Sequence, residues 1–318
     1  MEGIGIDIGG TNTKIVVVGD GKKVIKEKRF CTEPERGPAD FMRRLSEAVG
    51  ETAADRNYEV KALGVGMAGD IDPDKGILRF SPNLNWQNVK IAGPLAALTG
   101  LPCAVENDAN MAAWGAYADA LDCKEENVVV LTLGTGIGSG LIINGRLYHG
   151  ATGSAGEGGH INIVPDGLPC NCGSRGCLEA YCGSIGIMRR AEKLIGGKED
   201  FVKKYSEKGK FDTLCLSRAA SAGNAAAVKI FEETGHYLGL GIVELLIMFN
   251  PSSVILTGGV SRAGKWFMPE VLKVIERRKE ISPFVRTPFS SVRIVIADNP
   301  EMGSKGAALW GLRAAGLI

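Results

Sequence analysis

Two stretches of this chain, 125 residues apart, share one plan. The first runs Gly3-Ile-Gly-Ile-Asp7-Ile8, breaks at Gly9-Gly10-Thr11-Asn12-Thr13 and resumes as Lys14-Ile-Val-Val-Val18. The second runs Val128-Val-Val-Leu-Thr-Leu133, breaks at Gly134-Thr-Gly-Ile-Gly138-Ser-Gly140 and resumes as Leu141-Ile-Ile143. Shifted by 125 residues, Ile6-Asp7-Ile8-Gly9-Gly10 overlies Leu131-Thr132-Leu133-Gly134-Thr135. An apolar β-branched run, cut by glycines and resumed, reads as strand, tight turn, strand. One such unit could be a plain hairpin. Two in register imply a duplicated domain, with two loops able to face one polyphosphate across a cleft. The bare amides and the Thr11 and Thr13 hydroxyls can donate to phosphate oxygens, and Asp7 can reach Mg2+ directly or through water.

Between and beyond these units the chain alternates strands and helices. Asp20-Gly21 is a turn into a strand at 22–30, and 38–56 is an amphipathic helix with Phe41, Leu45, Val49 and Thr52 on one side. A strand at 62–66 carries Gly64-x-Gly66-x-x-Gly69, a nominal dinucleotide fingerprint, but Asp70 to Gly76 is turn chemistry where a helix should follow. Ser81-Pro-Asn83-Leu-Asn85-Trp86 reads as a loop whose amides and indole suit sugar hydroxyls, although Asn also serves turns. A helix at 93–100 and a short strand at 102–105 lead to Glu106-Asn107-Asp108 and an alanine-rich helix at 109–121, for which Asn107 or Asp108 is an N-cap. Helices are expected at 183–195, 200–208, 217–222 and 224–249, the last stopped by Asn250-Pro251. A strand at 254–257 runs into Gly258-Gly259, a place where a flat ligand can approach backbone. A helix at 266–281, a strand at 292–297 and a helix at 302–315 complete the chain. No flexible linker divides it, so two halves should share a tight hinge.

Between the second glycine turn and the helices lies Glu157-Gly-Gly-His160, then Cys170-Asn-Cys172-Gly-Ser-Arg-Gly-Cys177-Leu-Glu179. His160, Cys170, Cys172 and Cys177 fall within eighteen residues, and three of the chain's eight cysteines are gathered there. Cys3His is a common composition for a closed structural Zn2+ site. The other readings are free thiols or a disulfide, and Cys170 and Cys172 are too close for an easy mutual bond. No secretory apolar region is read at the first strand, so a reducing compartment is expected, and no preceding DNA-binding helix pair is expected either. The glycines at 158, 159, 173 and 176 suit backbone folded tightly around an ion. Glu157 and Glu179 bracket the cluster without being needed as ligands.

Composition excludes some classes. At 318 residues there is room for two domains, and 45% hydrophobic with 23% charged residues is a globular balance. A net charge of +1 supplies no basic field for nucleic acid. The best apolar run, Leu238 to Phe249, is interrupted by Gly239, Gly241 and Glu244 and is too short to span a bilayer. A soluble cytoplasmic protein is expected.

Together, Asp7-Ile-Gly-Gly-Thr11-Asn-Thr-Lys14, Glu106-Asn107-Asp108-Ala-Asn110, Leu133-Gly-Thr-Gly-Ile-Gly138, the Glu157 to Glu179 stretch and Gly258-Gly259-Val make a chain that resembles the ROK family, specifically its glucokinase-like sugar kinases. The resemblance implies an α/β protein of two ribonuclease-H-like domains of the actin-like ATPase fold flanking a cleft. They would be a small domain of 1–108 plus about 303–318, and a large one of 109–302 bearing the zinc loop. It implies ATP-dependent phosphorylation of a hexose 6-hydroxyl, glucose first, with N-acetylmannosamine, N-acetylglucosamine, mannose or fructose as alternatives. By position, Asp108 matches the general base and also touches the sugar. Asn83, Asn107, Glu157, His160 and Glu179 match sugar contacts. Gly9, Gly10, Thr11, Lys14, Thr135, Gly136, Gly258 and Gly259 match positions around the nucleotide, and Asp7 the Mg2+-associated acid. His160 would serve zinc with one ring nitrogen and sugar with the other. The Gly64 motif becomes a wall of the sugar pocket. Where the family often has Ala/Gly-Pro-Gly after the position of Gly66, this chain has Met67-Ala-Gly69-Asp70, which alters the loop leading to that pocket. The family tends towards dimers and tetramers. A non-catalytic sugar-sensing regulator would keep the same fold and pocket; near-neutral charge and the missing DNA-binding segment argue against it, and the sugar site and zinc loop argue against an actin-like ATPase or chaperone.

Overall fold

The computed structural model describes residues 1–54 and 59–318, and the chain divides into two compact units. Unit 1 comprises Met1–Lys124, Arg146–Gly156 and Glu301–Ile318; unit 2 comprises Glu125–Gly145 and Glu157–Pro300.

In unit 1, β1 (Glu2–Ile8), β2 (Asn12–Val18), β3 (Val24–Cys31), β4 (Val60–Met67) and β8 (Cys103–Asn107) form a sheet in the order β3-β2-β1-β4-β8. β1 and β2 make the expected antiparallel hairpin, with Asp7 opposite Lys14, whereas β4 runs parallel to β1 and β8 parallel to β4. Helix α1 (Pro38–Ala53) buries Phe41, Leu45, Val49 and Thr52 as its periodicity requires; the expected end at Arg56 lies outside the described residues. Phe41 and Leu45 join Ile4, Ile6, Ile8 and Ile15 in the core, each contributing roughly 1.5–3 kcal/mol by leaving water. Helices α2 (Ala92–Thr99) and α3 (Asp108–Leu121) precede and follow β8.

One expected loop is a sheet. β5 (Asp70–Asp72), β6 (Ile77–Ser81) and β7 (Trp86–Lys90) pair antiparallel in that order, so Asp70 opens a strand and Trp86 starts one. Each strand has only three to five residues, too few for its own period-2 signal to outweigh the surrounding Asp, Pro, Asn and Gly.

The last helix of the chain, α11 (Met302–Ala314), lies on β1, β4 and α3 with backbone against backbone. A Cβ on Gly5 would overlap the Ser304 carbonyl oxygen, one on Gly64 that of Ala307, and one on Gly306 that of Met111. Gly66 faces the Met111 side chain of α3. Gly64 and Gly66 therefore seat two helices on the sheet, while Gly69, whose carbonyl accepts from the Asn107 amide at 3.1 Å, is the glycine of the motif that lies beside a sugar-contact candidate. The same interlock, closed by Gly115 against Met302, keeps α3 in unit 1, although a domain boundary was expected before residue 109.

Unit 2 holds β9 (Val128–Leu133) and β10 (Ile137–Ile143), and beyond a short β11 (Arg146–Leu147) the helices α4 (Leu178–Cys182), α5 (Ser184–Leu194), α6 (Lys198–Tyr205), α7 (Thr213–Ser221) and α8 (Ala225–Phe249). It continues with β12 (Ser253–Thr257), α9 (Gly264–Ile281), α10 (Pro283–Ser290), which was not anticipated, and β13 (Arg293–Ala297). Strands run in the order β10-β9-β12-β13, with β10 antiparallel to β9 and the other pairs parallel. That is the order and sense of β2-β1-β4-β8, so the 125-residue repeat is a repeat of topology. Helix α8, capped by Asn224 and ended at a left-handed Asn250, buries Ile230, Phe231, Leu238, Ile242 and Leu246.

Candidate active site

Unit 1 carries the first turn and the carboxylates. The turn is braced from within: Gly9 N–H donates to Asn12 O at 3.0 Å, and the Thr32 hydroxyl donates to Gly9 O at 2.7 Å. Thr13, fully buried, shares a 3.0 Å hydroxyl contact with Thr32. Its expected role as a phosphate donor is therefore corrected, because the hydroxyl points into the protein; Thr11 is exposed. Gly10 lies against the backbone of Asn83, which brings the sugar-contact candidate Asn83 beside this turn. Lys14 Nζ stands 3.2 Å from Glu27 and 3.4 Å from Glu301, two carboxylates that hold it in place.

Asn107 settles which residue caps α3. Its Oδ1 accepts from Ala109 N–H at 2.8 Å and Asn110 N–H at 3.3 Å, while its Nδ2 donates to Gly69 O at 3.1 Å. One amide N–H remains for a ligand. Asp108, the next residue, is thus released from capping, although its Oδ1 also accepts from Ala109 N–H at 3.0 Å. Burial raises its pKa above the ordinary carboxylate range, against the pull of the helix amides. Asp7 is raised to about 6, first by burial, then by repulsion from Asp108, with Lys14 opposing. Two acids that disfavour each other's charge in one half-buried place are poised for a proton or a cation.

Unit 2 carries the second turn and the soft ligands. Gly134 N–H donates to Gly136 O at 3.0 Å, and Thr135 at the tip is exposed. Glu179 Oε2 accepts from Ile137 N–H at 2.9 Å, and Oε1 lies 3.5 Å from the Cys170 thiol, so this carboxylate joins turn to cysteine loop. Lone pairs remain on both oxygens for sugar hydroxyls. Ser139 Oγ accepts from Gly158 N–H at 2.8 Å, and a Cβ on Gly159 would overlap Ile137 O. Gly158 and Gly159 are thus required by packing on β10. Only Gly173 and Gly176, with φ of 90° and 76°, bend backbone around the cysteines as expected.

His160, Cys170, Cys172 and Cys177 converge, their ligating atoms all within 4.8 Å of one another. A tetrahedral site with metal–sulfur bonds of about 2.3 Å has ligand–ligand edges of about 3.8 Å. Cys172 Sγ to Cys177 Sγ is 3.7 Å, and Cys170 Sγ to His160 Nδ1 is 3.8 Å. The donor set fits Zn2+. His160 turns Nδ1 to the sulfurs and Nε2 towards Glu157, 4.0 Å from its Oε2, so one ring nitrogen is left beside a carboxylate. Gly258, with φ of 93°, leaves no room for a Cβ, which would overlap Leu133 O, and it delivers Gly259 into open space. A cavity of about 320 Å3 follows, lined by Gly134, Thr135, Ser184, Thr213, Ser217 and Gly259. Ser184, Thr213 and Ser217 were not foreseen. Ser184 and Thr213 open the helices α5 and α7, with Ser217 one turn further along α7, and they join the turn only through tertiary packing.

The comparisons with known proteins agree with this inventory. The ROK family model matches residues 3–311. A protein of Thermotoga maritima described as a glucokinase is 36% identical over 86% of this chain and 87% of its own. A Streptomyces griseus ROK glucokinase, solved with glucose and AMPPNP, superposes with a TM-score of 0.79 at 32% identity, covering 98% of this chain and 100% of its own. A xylose repressor of Caldicellulosiruptor bescii is 29% identical over 88% of this chain and 71% of its own. The chain belongs to the ROK family, and its fold is the actin-like ATPase fold of that family's sugar kinases.

Proposed function

We propose that this chain is an ATP-dependent sugar kinase that phosphorylates the 6-hydroxyl of a hexose, glucose first. The observation that carries the reading is Asp108: a buried carboxylate at the first turn of α3, relieved of capping by Asn107 and held above the ordinary carboxylate range. Phosphoryl transfer is mostly positioning and charge stabilisation, so one carboxylate within reach of the attacking hydroxyl suffices as base. Asp108 takes the proton from the 6-hydroxyl as its oxygen attacks the γ-phosphorus of ATP, and ADP leaves. Asn83, Asn107, Glu157, His160 and Glu179 orient the sugar through its hydroxyls. Amides and hydroxyls at Gly10, Thr11, Thr135, Gly136, Gly258 and Gly259 receive the nucleotide, with Lys14 nearby, and Gly9, its own N–H taken by Asn12 O, shapes the turn. Asp7 is the residue placed to hold Mg2+, whose charge would screen the phosphates. Zn2+ on His160, Cys170, Cys172 and Cys177 would make a rigid wall that fixes the His160 ring for sugar, with no part in the transfer itself.

The names of the relatives from Thermotoga and Streptomyces support glucose. N-acetylmannosamine, N-acetylglucosamine, mannose and fructose share most ring hydroxyls and remain alternatives. The similarity to xylose repressors favours a second reading, a sugar-sensing regulator without turnover. We further expect a cytoplasmic homodimer or homotetramer; among the described residues no helix is long and apolar enough to cross a membrane. A coupled ADP-release assay over a panel of hexoses and N-acetylhexosamines decides. Turnover best with glucose is expected; sugar binding without ADP release on any sugar would give the regulator reading.

A further inference from the structure

Glu106 is a carboxylate that the proposed reaction does not use, and it is 1% exposed. A buried carboxylate without donors is costly, yet this one has donors on both oxygens. Oε1 accepts from the backbone N–H of Asn107 at 2.8 Å and from the side-chain amide of Asn110, itself buried, at 3.0 Å. Oε2 faces His149 Nε2 at 2.6 Å. The first pair of bonds spans the junction of β8 and α3, where Asn107 caps and Asp108 begins the helix. The second reaches a different part of the chain.

His149 stands in the segment 146–156, which belongs to unit 1 although the residues on both sides belong to unit 2. Beyond Leu147 the segment has no regular structure, and Gly150, Gly153 and Gly156 take φ of 68°, 93° and 90°. Such backbone depends on tethers to other segments. Arg79 Nη1 donates to Thr152 O at 2.9 Å, Ala155 N–H donates to His149 O at 3.1 Å, and the His149 ring meets the Trp310 ring edge-on at 6.2 Å. The His149–Glu106 pair ties it to β8 of the main sheet of unit 1. The residue that follows Gly156 is Glu157.

We infer that Glu106 and His149 are positioning residues for the proposed phosphoryl transfer. Through one oxygen Glu106 sets the start of α3, and so Asn107 and Asp108; through the other it anchors the segment 146–156, which leads into Glu157. The inference rests on the kinase reading. The bond to Glu106, aided by the charge of Asp74, also raises the His149 pKa, so the charged form that bonds best persists to higher pH than an ordinary histidine allows. The base candidate and the segment of chain leading into a sugar-acceptor candidate are thereby tied to one buried carboxylate within unit 1.

His149→Ala tests this, with His149→Gln as the conservative variant, because a glutamine amide can donate from near the Nε2 position. In His149→Ala the sugar KM should rise about tenfold or more, since loss of alignment by about 1 Å costs up to about a hundredfold. The ATP KM should stay within about twofold, and trypsin should gain a cut after the exposed Arg146. His149→Gln should restore most of the sugar KM and the resistance to trypsin. A His149→Ala protein with unchanged sugar KM and unchanged trypsin resistance overturns the inference. So does one in which sugar and ATP KM rise equally while the melting temperature falls, because that is a general loss of structure. Glu106→Gln, if it folds, should reproduce His149→Ala in sugar KM. A wild-type protein that turns over no hexose would instead sink the kinase reading, a failure visible before any variant is made.

Discussion

The two strand–turn–strand units have the same backbone plan and opposite chemistry. In unit 1 the strand ends on Asp7; at the overlying place in unit 2 stands Thr132, whose hydroxyl is buried with no hydrogen-bond partner among the described residues. The first turn is braced by its own neighbours, Thr13 and Thr32. The second is braced by Glu179, which arrives from the cysteine loop. Unit 1 thus concentrates charge, with Asp7 and Asp108 both raised, while unit 2 holds soft ligands and neutral turns. A duplicated backbone can keep its anion-receiving amides in both copies and still divide the labour. In the proposed reaction one copy would move the proton and hold the cation, and the other would fix the shape of the sugar site.

The largest effect expected from that division is on turnover. Asp108→Ala should lower kcat by about a hundredfold to ten-thousandfold while calorimetry still detects sugar binding; comparable turnover in the variant would break the assignment. For the wild type, kcat/KM should fall on acidification at a higher pH than an ordinary aspartate would give, because burial raises the Asp108 pKa and the base must be ionised.

Next comes the metal. Chelation should release about one zinc per chain, lower the melting temperature and weaken sugar binding, since bound metal contributes folding free energy. It should leave nucleotide binding largely intact. A metal-free protein of equal stability and affinity would mean that the cysteines of unit 2 are not a structural site, and the contrast with unit 1 would lose its second term.

The smallest effect is on stability and has a definite sign. Asp7 moves from an ordinary 3.8 to about 6 on folding, so the folded state binds this proton more tightly. Stability from this group is present below the unfolded value and is lost as pH rises through about 6. At neutral pH the ionised Asp7 is a cost, up to about 3 kcal/mol. Asp7→Asn should therefore raise the melting temperature of the ligand-free protein near pH 7 and change it little near pH 4, while activity falls. Thermal unfolding at the two pH values measures it; a destabilised variant at neutral pH would show that the charge is satisfied, not stored.

Much of the fold was legible because its signals are local. Alternating β-branched runs cut by glycine mark both hairpins, and the stripe of Phe41, Leu45 and Val49 marks α1. Asn250-Pro251 stops α8 where it should. The sheet of β5, β6 and β7 was not legible, since each strand depends on a neighbour more than on its own residues. In the site, the Cys3His set could be read from spacing because its ligands are close along the chain. Ser184, Thr213 and Ser217 could not, because what joins them to Thr135 is the packing of helices.

The sequence by itself determined which groups this protein can bring to a reaction. They are two glycine turns, an acid at the end of one strand, Asn107-Asp108 before a helix, and four soft ligands in eighteen residues. Only the tertiary structure decided what each group is free to do. Thr13 is turned inward by Thr32, and Gly64 lies under a helix some 240 residues further along the chain. Asn107 takes the cap and leaves Asp108 available. The reason is physical: composition and spacing specify donors, acceptors and turns. Burial and competing partners, which set pKa values and leave lone pairs open, arise only when distant segments pack.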